Sequence, residues 1–288
     1  MRHVLSPNDR GRANEAIFVD TLSSGLGVPL TSRAVSQARR DAPKISELGP
    51  QTHRSLKQAS ELVRDWHLST FGQKFSRIDR SDDASPGTAD VICEGTEPVK
   101  YSLKLNHDAT KHPRPYSLAQ WMDLAKGCQE DNEHRSLLAE ACRIFRSRIG
   151  SATQFKSVPQ ATKKLYDSVV VVCADNLNEW CPRLSLADEL FTFLVGEGFV
   201  KVITELKSRG DLSRVRIERF DKPARPRAVI AKPRPKGYLD LEFSNGWVLE
   251  LRLHSAKSNI KTRGQVDLKF DSKAVKSPGL QIEVLMPS

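Results

Sequence analysis

The sequence has no run approaching the roughly 18 consecutive apolar residues that span a bilayer. Its opening, MRHVLSPNDRGR, lacks the apolar core of a secretion signal. A soluble, cytoplasmic protein with no membrane partner is therefore expected. Cys93, Cys128, Cys142, Cys173 and Cys181 are odd in number and form no C-x-x-C pair, which argues against a disulfide framework or a zinc ribbon. The histidines show no H-x-x-x-H spacing, so any metal is expected to be held mainly by oxygen. No internal repeat is visible.

What the sequence does have is positive charge. Lys and Arg number 45 against 35 Asp and Glu, a formal +10 spread along all 288 residues. This favours a polyanionic partner, although charge alone does not separate DNA, RNA and a membrane surface. An apolar content of 39% suffices for a sizeable core, in one large domain or two smaller ones.

Helical spacing of Ala13, Ile17 and Leu22 predicts a first helix over 12–22, with Asn8 and Asp9 available as caps. A second is predicted from Thr52 to Gly72 on Leu56, Ala59, Leu62, Val63 and Trp66. A short strand over 73–80, the polar turn DDASPGT and the strand ADVICEG follow. In VKYSLKLN, Val99, Tyr101, Leu103 and Leu105 alternate with Lys100, Ser102, Lys104 and Asn106, the pattern of a half-buried strand. Residues 118–148 read as mostly helical around Gly127, SVVVVCAD (168–175) as a buried strand, and LADELFTFLVGEGFVKVITEL as a helix. Beyond Ser213 come short strands, RVRIERF, RAVIA, YLDLEFS, WVLELRLH, QVDLKFD and LQIEVLM. The basic, proline-rich DKPARPRAVIAKPRPKG reads as a surface loop or semi-rigid arm.

The stretch that carries chemistry runs from Gly87 to Arg114. Asp90 opens one strand and Lys104 lies on the polar side of the next, so the two can converge at a sheet edge. A carboxylate there can bind magnesium, and a nearby ammonium can orient water and meet charge developing on a phosphate. An ordinary half-exposed sheet carries the same residue types. Ser102 and Lys104 share a face that continues into Asn106, however, and the next loop concentrates His107, Lys111, His112 and Arg114, which suits phosphate.

YSLKLNHDATKHPRP resembles the strand-and-loop signature of the HaeIII-like restriction endonucleases, a lysine-bearing strand followed by N-H and then K-H-x-R. LELRLHSAKSNI followed by VDLKFD is similar to a second family signature, and NDRGRANE to the family's opening helix. The resemblance implies an α/β fold with a PD-(D/E)XK core, a mixed central sheet flanked by helices. It also implies Mg2+ dependence and cleavage of double-stranded DNA at a short palindrome, with GGCC the family-level expectation. One position departs from the motif: Ser102 stands where an acid normally precedes the lysine by two residues, and a hydroxyl is a poor substitute for a carboxylate. Glu15 and Glu61 are the helical candidates to replace it. Glu15 is preferred because it falls in the matching opening helix, although a solvated glutamate is the ordinary alternative for either.

The resulting expectation is a catalytic core over 1–210 and a β-rich DNA-recognition portion over 211–288. Asp90, Lys104 and Glu15 are catalytic, and Asp90 and the Leu103 carbonyl hold the metal. Asn106, His107, Lys111, His112, Arg114, Arg252, His254 and Lys269 contact DNA. Arg225, Arg227, Lys232, Arg234 and Lys236 either follow the phosphate backbone or belong to a flexible basic linker. Palindromic cutting implies a homodimer. The rivals are a non-catalytic nucleic-acid-binding protein and a repair or nicking nuclease on the same core.

Overall fold

The structure, a computed structural model, describes residues 5–72, 75–81, 89–109, 111–196, 198–220, 223–261 and 264–287. The polar turn expected at 82–88 and the first residues of the strand expected from 73 lie outside them. The chain divides into two compact units. Unit 1 comprises 1–108, 198–222 and 279–288, and unit 2 comprises 109–197 and 223–278. The contacts thus divide the chain otherwise than at residue 210, because β4 (Val200–Leu206), β5 (Leu212–Phe220) and β10 (Leu280–Leu285) belong to the sheet of the N-terminal segment.

In unit 1 the strands β1 (Arg77–Arg80), β2 (Val91–Glu94) and β3 (Val99–Leu105) form an antiparallel meander. The parallel strand β4 follows on the other side of β3, then antiparallel β5 and β10, in the order β1-β2-β3-β4-β5-β10. Strand alternation sends Tyr101, Leu103, Val200, Val202, Val215 and Ile217 to one face, where they pack with Phe18 and Leu22 of α1 (Pro7–Leu26) and Val63 and Trp66 of α3 (Pro50–Phe71). Burial of each such side chain stabilises by about 1.5–3 kcal/mol.

The cap of α1 is Ser6, whose hydroxyl accepts the Asp9 N–H, and not Asn8 or Asp9 as expected; Asp9 instead adds its charge to the first turn. Helix α2 (Ser32–Glu47) has no counterpart in the sequence reading. It buries Ala34, Gln37 and Asp41, too polar a stripe to stand out as an apolar face.

Unit 2 holds α4 (Gln129–Ile149), α5 (Pro159–Leu184), α6 (Ala187–Val195) and the antiparallel sheet β6 (Val229–Arg234), β7 (Tyr238–Phe243), β8 (Val248–Ser255) and β9 (Leu268–Lys276). The strand expected at 168–175 is the middle of α5. Leu165, Val169, Cys173, Leu177 and Trp180 are buried at helical spacing, whereas Val171 is exposed. The expected helix over 186–206 is α6 followed by β4, separated by Gly196 and Gly198 at positive φ. Part of the expected proline-rich arm is the edge strand β6. Pro233 is tolerated there, and Asn178 of α5 closes the outer edge by bonding both the N–H and the C=O of Ala231 (2.8 Å each). Among the described residues, no helix is long and apolar enough to cross a membrane.

Candidate active site

Asp90 stands just before β2, where the meander frays. Its N–H donates to the Tyr101 carbonyl (2.7 Å) and its C=O accepts from the Ser81 N–H (3.1 Å), which fixes its backbone between β1 and β3. The β2–β3 ladder ends at Val91 and Tyr101. Beyond it the Asp90 carboxylate takes over the bonding of β3, accepting the Leu103 N–H at 2.6 Å and the Ser102 hydroxyl at 3.4 Å. Lys104, two residues along the same polar face, places Nζ 3.6 Å from the same oxygen. Asp90 and Lys104 are both partly buried, so their attraction is screened less than a surface pair's.

Glu15 reaches this locus from α1. Burial raises its carboxyl pKa, the negative charge of Asp90 raises it further, and Arg80 opposes both. Arg80 is itself almost fully buried and bridges two acids, with Nη2 2.7 Å from Glu15 and Nη1 3.0 Å from Asp41. Asp41, fully buried, also receives Lys44 at 2.8 Å, and these partners hold its pKa low against burial. Glu61 lies on α3 and forms no hydrogen bond or ion pair among the described residues. The structure therefore brings Asp90, Lys104, Glu15 and the main chain of Leu103 together, and among the described residues shows no bond from Glu61 to any of them.

This donor set suits a hard divalent cation. A buried carboxyl whose proton affinity a neighbouring carboxylate raises is a poor arrangement alone, and one that a cation between the two relieves. Among the described residues no three His, Cys, Asp or Glu side chains stand as a ready cage. A cation here would use Asp90, Glu15, main-chain or hydroxyl oxygen and water, the mixture magnesium accepts.

Sequence reasoning missed two further groups. Arg80 was unmarked, since its value lies in partners from α1 and α2. Lys201 stands opposite Ser102 in the β3–β4 register and buries its ammonium on Glu218 (3.1 Å) and the Asp108 carbonyl (2.5 Å). Burial lowers its pKa while Glu218 raises it. The alternation in VKVITEL was the available signal, hidden when the segment was read as helix.

The residues expected on DNA are divided between the units. In unit 1, Asn106 adopts φ 58° and its side-chain oxygen accepts the Leu206 N–H at 2.6 Å, so it fastens β3 to β4, while His107 is exposed. In unit 2, Lys111 does not offer a free ammonium: Nζ donates to the Phe193 carbonyl (2.9 Å) and lies 3.6 Å from that ring's centroid, and burial lowers its pKa to about 8. Asp271 gathers His112 (2.6 Å), His254 (2.9 Å) and Lys269 (4.0 Å), and Arg114 lies 3.7 Å from Asp267. Arg252 remains exposed with its guanidinium over Tyr238. In the proline-rich segment Arg225, Lys232 and Arg234 are ion-paired with Asp188, Glu242 and Asp240, which weakens a phosphate-tracking role.

No family model matches the chain, and no curated protein matches it. Among solved structures, HhaI endonuclease in complex with DNA is similar at 9% identity, over 80% of this chain and 90% of that one, with a TM-score of 0.20, a likeness too slight to carry fold or function.

Proposed function

We propose that unit 1 is a PD-(D/E)XK-type nuclease core that hydrolyses double-stranded DNA with magnesium, in the manner of a type II restriction endonuclease. The observation that carries this reading is the Asp90–Lys104 approach of 3.6 Å, with the Glu15 carboxyl close enough to feel the charge of Asp90. The order of the sheet supports it: an antiparallel meander that ends in the lysine strand, then a parallel strand beside it.

Asp90 and Glu15 would hold the metal, with the Leu103 carbonyl and Ser102 hydroxyl beside them. Magnesium, when bound, acidifies a water and offsets the charge of both carboxylates and the phosphate. Lys104 orients that water and meets the negative charge that develops on the phosphoryl oxygens. Water oxygen attacks phosphorus and gives up a proton, one P–O ester bond breaks, and the leaving alkoxide takes up a proton, so the products are a phosphomonoester and a hydroxyl. The Asp90 contact with the Leu103 N–H fixes the acid before substrate arrives, so little reorganisation is left for the reaction.

A short palindrome, GGCC by resemblance, and a homodimer complete the reading. A binding-only protein is the rival, and the Arg80–Glu15 bond favours it, because that acid already has a cation. Plasmid incubated with magnesium, and again with EDTA, separates the possibilities. Discrete fragments that vanish with EDTA support restriction, nicked circles a nicking or repair enzyme, and a gel shift with intact plasmid the binding protein.

A further inference from the structure

A cavity of about 890 Å³ opens within unit 1 at the C-terminal end of β3, inside the range of roughly 300–1,000 Å³ typical of small-molecule sites. Its walls include Leu48, Leu103, Leu105 and Leu206. Among these side chains stands Asn14 of α1, only 5% exposed, whose amide has no hydrogen-bond partner among the described residues. Its amide is not among the polar atoms sealed from solvent, so it offers a donor and an acceptor to the edge of a ligand entering the cavity.

The rim is cationic. Arg10, Lys207 and Arg209 line the cavity, are exposed, and have no ion-pair partner among the described residues. His107 joins them, and Glu47 is the acid beside them. Gly49 caps α3 without a side-chain hydrogen bond, and Gly49, Pro50 and Thr52 line the same space, so the positive end of a 22-residue helix adds to the field. The cavity adjoins the candidate site through two chain neighbours: Asn14 precedes Glu15, and Leu103 precedes Lys104.

Apolar walls, one unbonded amide and an anion-attracting rim describe a ligand with a flat apolar body, a polar edge and a phosphate. We propose that this cavity receives one nucleotide of the nucleic-acid strand, its base turned out of the stack against the leucine walls with its polar edge on Asn14, and its phosphate at Arg10 and Arg209. This rests on the nuclease reading for the identity of the strand, but the nucleotide site has its own test. Unstacking a base is costly, and the amide bond and rim charges would offset that cost.

The test is calorimetric titration of the full chain, in EDTA, with each deoxynucleoside 5′-monophosphate and with inorganic phosphate. A nucleotide should bind at least about tenfold more tightly than phosphate. Asn14→Leu should weaken nucleotide binding by about tenfold or more, because the polar edge of the base loses its partner. Asn14→Asp, nearly the same size, should also weaken it, by placing a negative charge in the cavity. Arg10→Ala with Arg209→Ala should weaken nucleotide and phosphate alike. No nucleotide binding by the wild type, phosphate bound as tightly as nucleotide, or full affinity in both Asn14 variants would overturn the proposal, whatever the plasmid assay shows. Nucleotide binding lost on Asn14 substitution, in a protein that leaves plasmid intact, would uphold the cavity and sink the nuclease reading.

Discussion

The Glu15 carboxyl and the Asp90 carboxylate compete for the same electrostatic space: after burial, the charge on Asp90 is the largest influence raising the Glu15 pKa. A metal that uses both competes with a proton, and with Arg80, for Glu15. Because that pKa lies above its ordinary value of 4.5, cation affinity should begin to fall at a higher pH than for an unperturbed pair of acids. Calcium titrations at successively lower pH should show this earlier fall in the wild type and its loss in Glu15→Gln, with weaker binding throughout. A pH-independent affinity in the wild type would remove Glu15 from the metal site.

Asp90→Asn should abolish cleavage while leaving DNA affinity within about tenfold, because a lost metal carboxylate harms the transition state more than the ground-state complex. Lys104→Ala should lose turnover without large loss of stability, since its ammonium is only partly buried. Glu15→Gln should resemble Asp90→Asn, and Glu61→Gln the wild type. Single-turnover cleavage alongside a gel-shift titration gives both quantities, and a fully active Asp90→Asn protein would refute the assignment.

Arg80→Met removes the shared partner of Glu15 and Asp41. Asp41 is fully buried and would keep Lys44 at 2.8 Å and the more distant, largely exposed Arg40 at 3.9 Å, so unit 1 should lose up to about 3–5 kcal/mol, as when one member of a buried ion pair is deleted. Urea denaturation measures this. A change within about 0.5 kcal/mol, the range of ordinary surface substitutions, would mean that Arg80 is not a structural bridge.

His67 is fully buried, its Nδ1 lies 2.6 Å from the Tyr101 hydroxyl, and burial lowers its pKa to about 4. The folded protein thus refuses a proton that the unfolded chain accepts near pH 6.5. The sign follows from linkage: stability is fully present above about 6.5 and is lost as pH falls towards 4, by up to about 3 kcal/mol. His134 in unit 2, also lowered by burial, acts in the same direction. His67→Phe should flatten this part of the profile in thermal melts between pH 4 and 7 and leave the His134 part.

Duplex affinity should fall with salt at about −0.9 per phosphate neutralised. Arg10→Ala with Arg209→Ala should flatten that slope by about two, whereas Lys111→Ala should leave it unchanged, because Lys111 is held on Phe193. Fluorescence anisotropy over a salt series decides it. A flatter slope for Lys111→Ala would restore that residue to the phosphate contacts.

Some of this was legible beforehand and some was not, for physical reasons. VKYSLKLN announced β3 because a half-buried strand must alternate, and the same alternation put Lys104 on the side that meets Asp90. The valine run of α5 misled because β-branched residues favour strands, while the helical stripe from Leu165 to Trp180 is spread beyond any short window. VKVITEL was absorbed into a helix because its glycines were read as tolerated within the helix, although Gly196 and Gly198 turn the chain at positive φ. Arg80 and Asn14 gain meaning only from neighbours distant in sequence, and no local pattern could have marked them.

The parallel pairing of β3 with β4 joins stretches separated by the whole of 106–199. During synthesis the strand carrying Lys104 is made with no neighbour on that side, and at roughly 5–20 residues per second it waits about 5–20 s for one. The unit therefore has a high contact order, and its nascent form presents an open strand edge to other chains. Aggregation during expression should be governed by how quickly β4 arrives, and slower initiation, which keeps neighbouring nascent chains apart, should improve the soluble yield.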